Sequence, residues 1–266
     1  MAQGNLRKMK TAYEKPIKYS LKLGEDLIDM NALVGQNIEL EFTGVINCIS
    51  CGNVTKKSFG QGFCYKCFIN SPMNSECIIR PELCEGHLGK GRDVEWEEKN
   101  HNQPHVVYLA FTEITKVGVT RVDQIPTRWI DQGANKAIVL AETPYRRLAG
   151  EIEVAMKEHY KDKTNWRNML KNIVDESLDP NDEKEEALDV FPPEFEEFYS
   201  ENDEVYDFEY PVTEYPIKVN SINLDKISKV EGRLVGIKGQ YLIFSSNRVL
   251  NIRNHSGYFV KLNTIS

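Results

Sequence analysis

The 266-residue chain contains no apolar run approaching the roughly 20 residues that a membrane-spanning helix needs. Its opening residues, MAQGNLRKMKTAYEKP, lack the apolar centre of a secretory signal. No G-x-x-x-x-G-K loop is present to cradle a nucleotide phosphate, which ranks an enzyme of small phosphorylated metabolites last. Cysteine is scarce, at six residues, and four of the six fall in one cluster, which argues against a secreted disulfide framework. Together these absences predict a cytoplasmic protein with no membrane partner.

A cationic surface also looks missing, because the formal net charge is −7. The acidic excess is local, however. Residues 175–209 hold sixteen acidic side chains and one basic one, Lys184, and the remainder has 24 acidic against 32 basic residues. A basic body suits a polyanionic partner, RNA or DNA, with the acidic segment as a tether or an internal competitor. The same segment could dock a protein partner, and a solvated charge run is the plain alternative.

What the chain does have is CISCGNVTKKSFGQGFCYKC. Cys48, Cys51, Cys64 and Cys67 read as Cys-x2-Cys-x12-Cys-x2-Cys, the spacing of a tetrathiolate zinc site. Each pair forms a knuckle that offers two sulfurs to one ion, and Gly52 sits where a turn with positive φ is easiest for glycine. Two disulfides or four free thiols are the alternatives.

A second ligand set follows. Cys84-x2-His87 has knuckle spacing, and His101-x3-His105 can place both imidazoles on one side of a helix or turn. The reading favours Cys84, His87, His101 and His105, with Cys77 as a buried hydrophobe. Cys84 in a core and the histidines as surface or hydrogen-bonding groups is the alternative, and His105 also opens the apolar strand that follows.

Periodicity organises the rest. Residues 17–23 and 38–42 alternate like half-buried strands. Segments 105–111, 115–119 and 136–141 read as a hairpin and a third strand, with a helix over 125–132 between them. Residues 145–160 predict a longer helix, since Leu148, Ile152, Ala155, Met156 and Tyr160 share a face. Thr164 is placed to cap a shorter helix through Trp166, Met169 and Ile173. Residues 210–266 alternate in short runs split by Gly and Asn turns, which predicts a small barrel or sandwich.

The expected architecture is α+β. It comprises an N-terminal β segment (1–47), a zinc-ribbon-like module (48–105) and a small central α/β domain (106–174). An acidic linker or loosely held helix (175–209), which Phe191, Phe195, Phe198 and Tyr199 could dock, and a C-terminal β module (210–266) follow, and the terminal segments together form a barrel-like unit. Pro16-Ile17-Lys18 and Pro216-Ile217-Lys218 hint that both ends join one sheet.

Residues 105–170 gather Tyr108, Lys116, Arg128, Trp129, Gln132, Arg146, Arg147, Glu153, Trp166 and Arg167. Arginines with tryptophans suit phosphate contacts and base stacking. Glu153 on a helix could hold a divalent cation such as magnesium or manganese, and Arg128 could neutralise phosphoryl charge. Core tryptophans and surface ion pairs are the plain alternative.

KKSFGQGFCYKCF, HVVYLA, KVGVTR, TRWIDQGA, DKTNWR and GIKGQYLIF resemble the widespread microbial family catalogued as domain of unknown function 2797. The resemblance spans nearly the whole chain and brings no activity with it. It implies cysteine at the positions of Gly91 and His101; here His101 offers another ligand and Gly91 none, which is why His87 is drawn in. The central region is more remotely similar to GIY-YIG nucleases, which implies Tyr108 as their first tyrosine, Lys116-Val117-Gly118 as their second motif, Arg128 as their arginine, Glu153 as their metal ligand and Asn165 as their asparagine. Lys116 in place of the second tyrosine, and Tyr108-Leu109-Ala110 in the first motif, depart from that pattern. The function expected is therefore a zinc-containing nucleic-acid-binding protein with a divergent phosphodiesterase site, and a non-catalytic protein-interaction or regulatory scaffold is the alternative.

Overall fold

A computed structural model of the chain describes residues 1–265. In chain order the first elements are β1 (Ala2–Asn5), β2 (Lys10–Ala12), β3 (Lys18–Leu23), β4 (Asp26–Asp29), β5 (Asn37–Asn47), β6 (Val54–Thr55) and α1 (Tyr65–Asn70). There follow α2 (Val94–Asn100), β7 (His105–Phe111), β8 (Thr115–Arg121), α3 (Thr127–Gln132), β9 (Lys136–Thr143), α4 (Arg146–Met156), α5 (Trp166–Leu170), α6 (Pro180–Asp189) and β10 (Tyr206–Asp207). The last are β11 (Asn220–Ser221), β12 (Lys229–Lys238), β13 (Tyr241–Phe244), β14 (Arg248–Asn251) and β15 (Tyr258–Ile265). Among the described residues no helix is long and apolar enough to cross a membrane.

These elements form two compact units, residues 1–69 with the segment from Phe208 onward, and residues 70–207. The stretch 48–105, read from sequence as one module, is divided between them.

In the first unit the strand order is β1-β15-β5-β12-β13-β14-β11, with β6 beside β5, and β2-β3-β4 form a separate meander. Both chain ends do enter one sheet, because β15 runs antiparallel between β1 and β5. The alternation is real: Tyr19, Leu21 and Leu23 of β3 are buried, as are Ile38 and Leu40 of β5. The sheet is not the expected barrel, since no closed cylinder forms among the described residues. The first half of β12 pairs with β5 and its second half with β13, with an irregularity between Leu234 and Gly236 where the strand bends.

The second unit is built on the antiparallel order β10-β9-β7-β8. β7 is buried along its whole length because both its faces are covered. Val107, Leu109, Phe111 and Val117 pack with Ala149, Ile152 and Met156 of α4 on one side. Tyr108 turns the other way, edge-on to Trp129 at 5.6 Å between ring centres. α4 ends at Met156, short of the expected Tyr160. α5 is capped by Asn165 where Thr164 was expected, and it stops before Ile173.

The acidic stretch read as a linker is folded onto this core. α6 and a 3-10 turn at Pro193–Phe198 bring Ala187 and Phe191 into the cluster, with Leu178, Phe195, Phe198 and Tyr199 against it. Lys184 is buried and donates to Asp203 and to the Asn202 carbonyl, both at 2.9 Å. Glu185, Glu186, Asp189, Glu194, Glu196 and Glu197 face outward.

Candidate metal centres and a buried polar cluster

The Cys48–Cys51 pair forms the turn that joins β5 to β6, where Ile46 faces Thr55 and Asn47 faces Val54. Gly52, at φ +75°, donates its N–H to the Cys48 carbonyl at 2.9 Å, which closes the knuckle. Cys64 precedes α1 and Cys67 lies within it. The link between knuckles is a tight hairpin with Phe59 bridged to Phe63, and Ile49 N–H bonds the Gly62 carbonyl at 2.8 Å. Gly62 has φ +123°, and a side chain there would run into Ile49 and the Ser256 carbonyl.

All four sulfurs lie within 4.8 Å of one another, and Cys51 and Cys64 are 3.9 Å apart. A tetrahedron of ligands 2.3 Å from zinc has edges of about 3.8 Å. Burial opposes ionisation of Cys48, but N–H groups of Cys51, Cys64 and Ser50 outweigh it and bring the thiol down to about 6. Burial, reinforced by Cys64 and Cys51, pushes Cys67 up to about 12. This set can hold a metal ion, and its all-sulfur donors are those zinc takes.

A second cluster lies in the other unit, and its membership differs from the expected one. Cys77, Cys84, Glu97 and His101 have ligand atoms within 4.8 Å of one another. Glu97 and His101 are one helical turn apart at the end of α2, so both point the same way. His101 Nδ1 lies against the Glu97 carboxylate and 3.8 Å from Cys77 Sγ. Cys77 is not a bystander hydrophobe: Cys84 foremost, then His101 and Ser75, draw its thiol down to about 4 against the effect of burial. Cys84 beside it is pushed up.

His87 and His105, expected as ligands, stand outside this set. The His87 ring stacks on Tyr145 at 4.4 Å. His105 begins β7, fully buried, with Nδ1 on the Gln103 carbonyl at 2.7 Å, and burial lowers its ionisation to about 3. It is four residues past His101 but beyond the helix end, so helical spacing does not carry it round. Glu97 was missed in the sequence, although Glu-x3-His on a helix would have revealed it.

The polar cluster does assemble at the centre of the second unit. Tyr108 on β7 sits directly opposite Gly118 on β8. A side chain at Gly118 would lie 2.7 Å from the Tyr108 hydroxyl, so glycine makes room for the ring. From α3, Gln132 Oε1 accepts two bonds, from Tyr108 at 3.0 Å and from the Lys116 ammonium at 2.6 Å. Arg128 lies one helical turn before Gln132; burial chiefly pushes the Tyr108 phenol up, and the Arg128 charge opposes that shift. Burial first, then Arg128, brings Lys116 down to about 7, with Glu153 acting in opposition. Glu153 on α4 is largely buried, which pushes its carboxyl pKa up, and it pairs with Lys157 at 3.2 Å. Four of the five expected residues thus share one electrostatic neighbourhood. Asn165 is committed elsewhere, since its side-chain oxygen accepts the N–H groups of Arg167 and Asn168 as a helix cap.

Alongside this cluster, Lys161 bridges to the edge strand β8, with Val117 N–H on the Lys161 carbonyl at 2.9 Å. Lys161, Lys163 and Arg167 are exposed, and the Arg167 guanidinium lies over the Trp166 ring at 4.3 Å.

Compared with curated proteins and with solved structures, the chain matches none, so the likeness to GIY-YIG nucleases rests on the sequence resemblance alone. Residues 35–260 match one family description, and on that match the chain belongs to the family described as protein of unknown function (DUF2797).

Proposed function

We propose that this is a zinc-binding, nucleic-acid-binding protein whose second unit carries a phosphate site of divergent GIY-YIG type. The observation that carries the reading is that Gln132 Oε1 joins Tyr108 and Lys116, with the charges of Arg128 and Glu153 near enough to act on both. Tyr108, Lys116 and Glu153 are buried and Arg128 is half-buried, so Arg128 is the cation a phosphodiester would meet first, with the Lys116 amine behind it. The exposed Lys161, Lys163 and Arg167 extend the basic track, and Trp166 adds an aromatic ring on which a base can stack. The zinc site holds the first unit's knuckles together.

In this reading Arg128 and Lys116 neutralise the phosphate and Tyr108 orients it. Glu153 would hold magnesium or manganese if the site cleaves. Its ion pair with Lys157 favours a second reading, phosphate-backbone binding without cleavage. Filter binding of RNA and DNA over a salt series tests the proposal. Salt-sensitive association at micromolar protein, weakened in Arg128→Ala, is the expected result. Absence of such association for either nucleic acid rules the reading out. Cleavage of a labelled strand with magnesium or manganese, abolished in Glu153→Gln, would select the catalytic form.

A further inference from the structure

The cluster in the second unit is better built than a chance meeting of polar groups. Glu97, His101 and Cys84 are each 3 % exposed or less, and Cys77 is 9 % exposed. They come from separate pieces of chain: Cys77 from a 3-10 turn at Glu76–Ile78, Cys84 after a second turn at Pro81–Leu83, and Glu97 and His101 from the end of α2. Two glycines are shaped around them. A side chain on Gly91 would lie 2.4 Å from Glu97 Cγ, and one on Gly86 would crowd His101, Cys84 and Glu97 at 3.2–3.5 Å. Ser75 Oγ lies 3.2 Å from Cys77 Sγ.

Burying the Glu97 carboxylate costs desolvation energy, which a divalent ion held by these four ligand atoms would offset. We propose that Cys77, Cys84, Glu97 and His101 hold a second metal ion, zinc by this donor set, which ties the 76–88 turns and helix α2 to the start of helix α4. Two sulfurs, one nitrogen and one carboxylate oxygen make a complete tetrahedral shell, so the site is structural. The link to α4 is Arg146. Its backbone N–H bonds the His101 carbonyl at 3.0 Å, and its guanidinium grips the Cys77 carbonyl at 2.9 and 3.0 Å and that of Ile78 at 3.0 Å. α4 therefore begins on the backbone of two ligands, and the site acts on the helix that carries Glu153 without touching the polar cluster.

The test is metal analysis of the full chain together with X-ray absorption at the zinc edge. The expected result is two zinc ions per chain with an average of three sulfurs and one nitrogen or oxygen around each. Cys84→Ser should halve the zinc and leave an all-sulfur shell. Cys51→Ser should halve it and leave two sulfurs with two lighter atoms. One zinc per chain in an all-sulfur shell overturns the proposal, as does retention of both ions by Cys84→Ser. A Cys77–Cys84 disulfide in the unreduced protein, read by mass and thiol count, overturns it too. The absorption measurement on the unaltered chain decides even if a variant fails to fold.

Discussion

Gly118 and Lys116 show how single residues set the central cluster. Gly118 faces Tyr108 across the β7–β8 hairpin, and a methyl group there would press on the phenol at 2.7 Å from its oxygen. Gly118→Ala is expected to cost about 1–3 kcal/mol in urea unfolding, the usual range for overpacking a closed core, and to detach the Tyr108 hydroxyl from Gln132. Lys116 poses a pH question. In the native chain its amine gives up its proton near 7, whereas its ordinary value is 10.5. Between those values the unfolded chain binds more protons, so native stability rises with pH. Below about 7 both states are charged and the cost of burying the ammonium is constant. Lys116→Met should therefore stabilise most at pH 7 and below and flatten the rise up to about pH 10, where the native slope can approach 1.4 kcal/mol per pH unit. Denaturant unfolding of both proteins from pH 6 to 10 checks this, and parallel curves would refute it.

At the scale of elements, the sixteen carboxylates of 175–209 favour a solvated linker and its aromatics a docked helix. Ala187 and Phe191 enter the core beside β9 and α4, with Phe195, Phe198 and Tyr199 against it. Apolar residues are few there but fall where a short helix and a 3-10 turn present them to one side. If the segment were a linker, Phe191→Ala would be neutral; docked as it is, the loss should be about 3–5 kcal/mol in a thermal or urea melt. Lys161 bridges to the edge strand β8, and Lys161, Lys163 and Arg167 are exposed. Should these cations line the nucleic-acid track, Lys163→Ala with Arg167→Ala would lower the slope of log affinity against log salt by about 2, with little change in melting temperature.

The whole molecule is two units with differently placed chain ends. The first needs both termini, because β15 inserts between β1 and β5, and the second is one continuous stretch. A fragment of residues 70–207 should therefore fold alone with a cooperative melt, whereas residues 1–207 should leave the first unit without β12–β15 and open to proteolysis. Circular dichroism and limited digestion distinguish these outcomes. Chelation of the intact chain should loosen the Cys48–Cys67 region first, as a protease-sensitive link between knuckles whose hairpin has little apolar core of its own.

Much of this was legible from local pattern. The Cys-x2-Cys spacing closes knuckles within a few bonds, alternation in residues 18–23 marks one sheet face, and Leu148, Ile152 and Met156 mark one helix face. Such periodicities are short-range and need no partner to be read. The second ligand set was not legible in that way. Whether Cys84 meets His87 or Cys77, and whether His105 or Glu97 completes the set, depends on where α2 ends and how the 76–88 turns fold back on it. The open order of the terminal sheet turned on which distant strands pair, and docking of the acidic segment on a few aromatic residues finding the β9–α4 surface. Those choices are made by contacts between residues far apart in the chain, where packing and desolvation outweigh local preference.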